Sequence, residues 1–231
     1  CETDKEVHTA KLIIGSDGMN SKIRELSKIS YRSWSYNQTA VVANFKTSIN
    51  ESCIKQTFTS IGPLALLPIN DRESTMIWSI DDDVSYKFLS MSDEEFTNEV
   101  VNKFGEQIGK LEMISKRQHF PLHHLSAKTF AKKSVFLVGD SAHHIHPLAG
   151  LGLNSGIGDV VCLSELIESN GLENLEELIS AYNRKRIPIN LGLAASMEAF
   201  KRGFGQKNIW MKLFRNTAFN IANKISPLKK K

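Results

Sequence analysis

Cysteine is scarce in this sequence, with three residues at positions 1, 53 and 162 of a 231-residue chain and no CxxC pair. That spacing excludes a disulfide framework and points to a reducing compartment. Long apolar runs are also lacking, and without about 18 consecutive uncharged apolar residues no segment reads as a bilayer span. Internal repeats and low-complexity tracts are absent, which excludes solenoid and linker architectures. The chain does not open with Met, shows no signal or transit peptide, and starts inside a strand-like stretch at residues 7–14; the expectation is a fragment. What is present is a globular composition, 41% hydrophobic and 23% charged, with 14 Gly and 6 Pro. It suffices for one large domain or two modest ones.

Charge is unevenly placed. From Arg184 onward there are twelve Lys or Arg and a single acid, Glu198, while the rest carries seventeen basic and twenty-four acidic residues. Such a basic end reads either as a contact surface for anionic membrane or an acidic partner, or as a solvated face. No nucleic-acid partner is expected.

A short apolar run at residues 10–14 ends at Gly15-Ser16-Asp17-Gly18, and a helix follows from Ser21 to Leu26 with Asn20 or Ser21 as cap. Residues 39–48, 54–60, 64–69 and 74–80 are β-rich, and turn signals at Gly62-Pro63 and Asn70-Asp71 make the last three an antiparallel meander. Residues 92–108 take helical spacing, opened by a Ser92/Glu95 capping box. A strand-like piece near 113–120 ends in Phe-Pro-Leu. The run Ser134 to Asp140 reads as a strand buried on both faces. A glycine-punctuated loop leads to a helix from about Leu153 to Ser169, and helical spacing recurs at 173–187 and through most of 189–226. The order fits an α/β layer interrupted by a β-sheet insertion.

Two glycine turns each follow a buried strand, where open α/β sheets hold ligands. Glycines there let backbone N–H groups approach a phosphate or a ring, and a following helix N-terminus favours negative charge. In the second turn, Gly139-Asp140-Ser141-Ala142-His143-His144-Ile145-His146-Pro147-Leu148-Ala149-Gly150-Leu151-Gly152-Leu153-Asn154, the Asp140 carboxylate suits recognition of hydroxyls. This string resembles the GD motif of group A flavoprotein monooxygenases, the para-hydroxybenzoate-hydroxylase-like family. The stretch from Leu12 through Asp17 and Gly18 to Arg24 resembles that family's DG motif. Both stand in the right order around a β-rich insertion. Within the family, the chain is most similar to the ubiquinone-biosynthesis hydroxylases, in particular the eukaryotic Coq6-like branch. The pieces that carry this are Gly62 to Pro68, Ile77-Trp78-Ser79, Phe120-Pro121-Leu122, Gly158-Asp159-Val160 and Ser226-Pro227-Leu228-Lys229.

The resemblance implies an α/β (α+β) fold. Residues 1–35 and 126–188 would be segments of a flavin domain, 36–125 an antiparallel substrate-binding sheet domain, and 189–231 a basic helical tail. It implies FAD as cofactor, with Asp140 on the ribityl chain, Gly139 letting that chain pass and Pro147 beside the isoalloxazine and substrate. Gly150, Leu151, Gly152, Leu153 and Asn154 would line the pyrimidine side, and Asp17 and Gly18 would lie near the pyrophosphate. The implied reaction is hydroxylation of the aromatic ring of a polyprenylated phenol or benzoate by O2 through a flavin C4a-hydroperoxide, with no catalytic side chain required. NAD(P)H or a ferredoxin would be the electron donor, a ubiquinone-biosynthesis protein complex the partner, and the matrix side of the mitochondrial inner membrane the site, with peripheral membrane contact. Two departures stand out. Leu151 occupies a position where the family usually has Gln. No GxGxxG, the fingerprint for the ADP half of FAD, occurs in the chain, so the expectation is a partial form that is inactive alone. The alternatives are a non-enzymatic remnant or binding module, or a related flavoprotein epoxidase or reductase.

Other features carry less. His143, His144 and His146 lack partners at metal-ligand spacing, so no metal site is expected. His123-His124 reads as a surface or inter-domain pair, and Asp81-Asp82-Asp83 as a solvated turn without the Gly and Glu of a calcium loop. Cys162 reads as a packing position, and the alternating Trp78 and Phe58 read as core or substrate-cavity positions, with core favoured. Trp210, Leu213, Phe214, Thr217, Ile221 and Ile225 share one face of the last helix, for packing or for a membrane surface.

Overall fold

The computed structural model describes residues 8–48, 53–147 and 150–205. The basic tail beyond 205 with its apolar face, Cys1, and Leu148-Ala149 of the glycine loop lie outside these residues. The described residues fall into two compact units, one within residues 8–37 and 122–197, the other within 38–121 and 198–205.

The second unit is built on an antiparallel sheet. Strands β2 (Tyr31–Thr47), β3 (Lys55–Thr59), β4 (Gly62–Asn70) and β5 (Glu73–Asp81) lie in the order β2-β5-β4-β3, and β6 (Leu111–Met113) pairs with β2. Alternation decides which side chains meet: Val41 and Leu64 both oppose Trp78, and Ala43 and Leu66 both oppose Met76. These rows are fully or almost fully buried and are covered by Phe88 of α2 (Asp82–Ser90) and by Phe96 and Val100 of α3 (Asp93–Phe104). The expected capping box is present at the start of α3, with Ser92 and Glu95 hydrogen-bonded reciprocally. Phe58 is 41% exposed and stands outside this core, whereas Trp78 lies at its centre.

The acidic triplet is a helix start rather than a turn. Asp81 stands at the N-cap position of α2 without a side-chain cap bond, and Asp82 and Asp83 sit in its first turn, where negative charge meets the positive end of the helix dipole. Asp81 and Asp82 also accept hydrogen bonds from the Gln38 and Thr39 side chains of β2, at 2.8 and 2.7 Å.

Gly62 does not separate strands but opens β4, with φ +135°, and a Cβ there would lie 1.8 Å from the Ser79 carbonyl oxygen. Backbone cannot yield as a side chain would. Gly62→Ala is expected to destabilise the chain by about 2 kcal/mol or more, read as a lower urea midpoint at unchanged m-value.

In the first unit β1 (Ile13–Gly15) lies parallel to β9 (Val135–Leu137), and β8 (Ala131–Lys132) completes the sheet on the other side of β9. β10 (His143–His144) pairs antiparallel with β7 (Gln118–Ala127), and the two belong to the same sheet as β2. β7 therefore continues well past the Phe-Pro-Leu signal, and β2 begins earlier than its β-rich stretch. α1 (Lys22–Leu26) starts at Ser21, whose hydroxyl accepts from the Arg24 amide. α4 (Leu151–Asn170) and α5 (Leu175–Gly205) pack Leu163, Leu166, Leu178 and Tyr182 onto Phe136 and Leu137. α4 begins two residues before its expected start. α5 is one helix running through Pro188, where the sequence suggested a break. Buried Arg186 and Asn190 anchor it on both sides of the proline, and the Asn190 side chain donates to the Arg186 carbonyl at 3.0 Å.

Candidate functional site

Because β1 and β9 are parallel, their glycine turns open at the same edge of the sheet. Gly18 and Gly139 turn the chain with φ +81° and +60°, the left-handed region that favours glycine. The two turns are tied together. The Ser141 hydroxyl donates to the Gly15 carbonyl at 2.6 Å. The buried Arg24 guanidinium donates to the Ser141 carbonyl at 2.8 Å and the Met19 carbonyl at 2.7 Å.

Between these turns and the first half of α4 lies a cleft of about 590 Å³. It gathers Gly18, Gly139, Asp140, Gly152 and Leu153 from the residues singled out in the sequence. Its remaining lining was not singled out: Ser16 and Val138 at the strand ends, and Gly156, Ile157, Val160 and Val161 along α4. The signal for that wall was present. Leu153, Ile157, Val160 and Val161 follow helical spacing on a face different from Leu163 and Leu166, so α4 is apolar on both sides. The helix approaches the turn closely, and a Cβ on Gly156 would come within 3.1 Å of the Gly139 Cα.

Asp17, Pro147, Gly150, Leu151 and Asn154 do not line the cleft. The Asp17 carboxylate accepts from the Ser21 hydroxyl and from the Ile23 amide at 3.1 Å, so it caps α1. Partial desolvation opposes ionisation of Asp17, but these bonds prevail and hold its carboxyl below the usual range. Pro147 and Asn154 are exposed, and Leu151 is half-buried. Gly150 is the N-cap of α4 at φ +62°.

Asp140 is 48% exposed, and one carboxylate oxygen pairs with His144 Nδ1 at 2.9 Å. That hydrogen bond, acting against desolvation, keeps the carboxyl below the usual carboxylate range. Asp140 is thus an ionised acceptor whose Oδ1 has no hydrogen-bond partner among the described residues. The α4 N-terminus has no acidic side chain in its first turn, so its positive end is not neutralised locally.

The histidines are placed separately. His143 is buried against Asp159, His144 pairs with Asp140, and His146 sits edge-on to Tyr36 with ring centroids 4.9 Å apart. Among the described residues no group of three or more His, Cys, Asp or Glu is arranged to hold a metal. His124 is not a surface residue. It is 2% exposed, stacked on Trp34 at 3.8 Å and bonded to the Tyr36 hydroxyl at 3.2 Å, because β7 turns it inward while His123 stays half-buried. Cys162 packs against the first unit's core, and burial pushes its thiol up.

Residues 2–195 match the family described as FAD binding domain. The chain belongs to that family. Among curated relatives of this FAD-binding chain, the mitochondrial ubiquinone biosynthesis monooxygenase COQ6 of Xenopus tropicalis is 31% identical over 265 residues. That match covers 97% of the chain and 57% of the relative. The ubiquinone hydroxylase UbiL of Rhodospirillum rubrum is 30% identical, covering 99% of the chain and 54% of the relative. The chain therefore spans little more than half the length of these relatives. The crystal structure of p-nitrophenol 4-monooxygenase PnpA from Pseudomonas putida shares the fold, with TM-score 0.74 at 16% identity, covering 94% of the chain and 56% of that structure.

Proposed function

We propose that this chain forms part of an FAD-dependent monooxygenase that hydroxylates the ring of a polyprenylated phenol or benzoate in ubiquinone biosynthesis. The observation that carries the reading is the cleft at the ends of two parallel strands, walled by glycines and holding one ionised acceptor, within a chain of the FAD-binding family. These features fit the cofactor: Asp140 accepts hydroxyls of the ribityl chain, and Gly18, Gly139 and Gly152 leave room for close backbone approach. The unneutralised α4 N-terminus, from Gly150 through Leu151 and Leu153 to Asn154, favours negative charge on the flavin's pyrimidine side. Asp17 acts through the turn it caps, and Pro147 is assigned in this reading to the side of the isoalloxazine and substrate. When bound, FAD supplies activation of O2 for oxygen transfer to an electron-rich ring.

The protein's own share is to bind, orient and keep water from that ring. The antiparallel sheet within residues 36–125 supplies the substrate side. The substrate's isoprenoid tail, the basic C-terminal region and the mitochondrial relatives support a peripheral site at the inner membrane. None of the described helices is long and apolar enough to cross a membrane. NAD(P)H or a ferredoxin delivers the electrons, and a ubiquinone-biosynthesis protein complex is the expected partner.

Titration of the chain with FAD, followed by flavin fluorescence and visible absorption, tests the reading. Weak binding is expected, because the fingerprint for the ADP half of FAD is lacking, and Asp140→Ala should weaken it about tenfold further through loss of charged hydrogen bonds. An Asp140→Ala chain that binds as tightly as the parent removes Asp140 from the site. Product analysis on prenylated phenols against isoprenoid alkenes separates hydroxylation from epoxidation.

A further inference from the structure

One carboxylate in the first unit is completely buried and lies outside the cleft. Asp159, in the third turn of α4, is 0% exposed. It accepts hydrogen bonds from three directions: Arg186 Nε at 2.7 Å on one oxygen, and His143 Nε2 at 2.6 Å and the Gly139 backbone N–H at 2.9 Å on the other. Burial works to raise its pKa, but these donors outweigh it, so the carboxyl is held below the usual range and is ionised. An ionised carboxylate only accepts, so His143 carries a proton on Nε2; its buried Nδ1 has no partner among the described residues. Arg186 is held in turn by the Ser155 carbonyl at 3.0 Å, and the Ser155 hydroxyl donates to Asn190 at 2.7 Å.

The Gly139 bond links this network to the cleft. Gly139 stands in the left-handed region immediately before Asp140, so the direction of its N–H sets how the following peptide and the Asp140 side chain leave the strand. We infer that Asp159 is a positioning residue for the ligand cleft. It pins the Gly139 amide from within the protein and presents Asp140 and the adjacent backbone in one fixed orientation, while His143 and Arg186 hold the carboxylate that does so. This inference rests on the flavin reading only for the identity of the ligand that Asp140 meets. The Asp140–His144 bond and the Asp159–His143 bond clamp the same turn from its outer and inner sides.

The test uses the whole chain and two readouts. In amide spectra without flavin, Asp159→Asn should shift the Gly139 and Asp140 signals upfield and speed hydrogen exchange at Gly139. Leu163→Ala, which removes core packing without touching any bond to Gly139, should leave both signals in place. In FAD titrations Asp159→Asn should raise the dissociation constant about tenfold, and Leu163→Ala should not. Should the single variant fail to fold, Asp159→Val with Arg186→Met removes the acceptor together with the charge it would strand, and both readouts apply to it. Gly139 and Asp140 signals that move no further than in Leu163→Ala overturn the inference, as does unchanged FAD affinity in a chain that binds FAD. If the parent chain binds no FAD, the flavin reading fails, and the amide signals alone decide the role of Asp159.

Discussion

Arg186→Met is expected to lower stability by about 3–5 kcal/mol near neutral pH, because it leaves the buried Asp159 carboxylate without its cationic partner. Charge removal alone is not the cause, since Arg186 is itself only 7% exposed and its own desolvation is relieved by the substitution. What remains is an ion in an apolar surrounding with His143 and one amide to hold it. The pH dependence gives the sign. In the parent chain Asp159 has a depressed pKa, so its stabilising contribution is present above the ordinary carboxyl value of 3.8 and is lost as pH falls through its lower folded value. In the variant, burial is still opposed by His143 and the Gly139 amide but no longer by the Arg186 hydrogen bond, so the folded value rises relative to the parent. Protonation then relieves the stranded charge, so the gap between parent and variant should narrow as pH is lowered from about 7 towards about 4. Urea denaturation at both pH values measures it. A gap that is constant or widens with acid would show that Asp159 is not the group responsible.

Trp78→Ala is expected to cost about 3–5 kcal/mol by opening a cavity between sheet and helices in the second unit. Trp78 is fully buried, with ring centroids 4.9 Å from Phe88 and 6.1 Å from Phe96. Its indole N–H has no hydrogen-bond partner among the described residues. Trp78→Phe therefore sacrifices packing volume but sheds an unsatisfied donor, and it should cost under about 2 kcal/mol. Thermal or urea unfolding of the two variants compares them directly. Equal losses would mean that the indole nitrogen is satisfied in solution and that ring volume is not the deciding quantity.

Much of the fold was readable from local rules. Alternation marked Trp78 as a core position, though it marked Phe58 equally and Phe58 is exposed, and the Ser92/Glu95 pair announced the start of α3. Legibility failed where distant contacts override a local signal. Pro188 should end a helix, yet buried residues on either side carry α5 through it. The acidic triplet at 81–83 reads locally as a solvated turn, yet it opens α2, with Gln38 and Thr39 of β2 supplying its partners.

The sequence by itself determined that two glycine turns follow two apolar strands, and which chemistry those turns suit, because backbone freedom and strand pattern are local properties. The tertiary structure alone decided that β1 and β9 are parallel neighbours, so that Gly18 and Asp140 share a cleft while Asp17 caps a helix. It also decided that Asp159, twenty residues beyond Gly139, holds that turn in place. A hydrogen bond between residues so far apart depends on how α4 returns across the strand ends, and no spacing in the chain encodes that return.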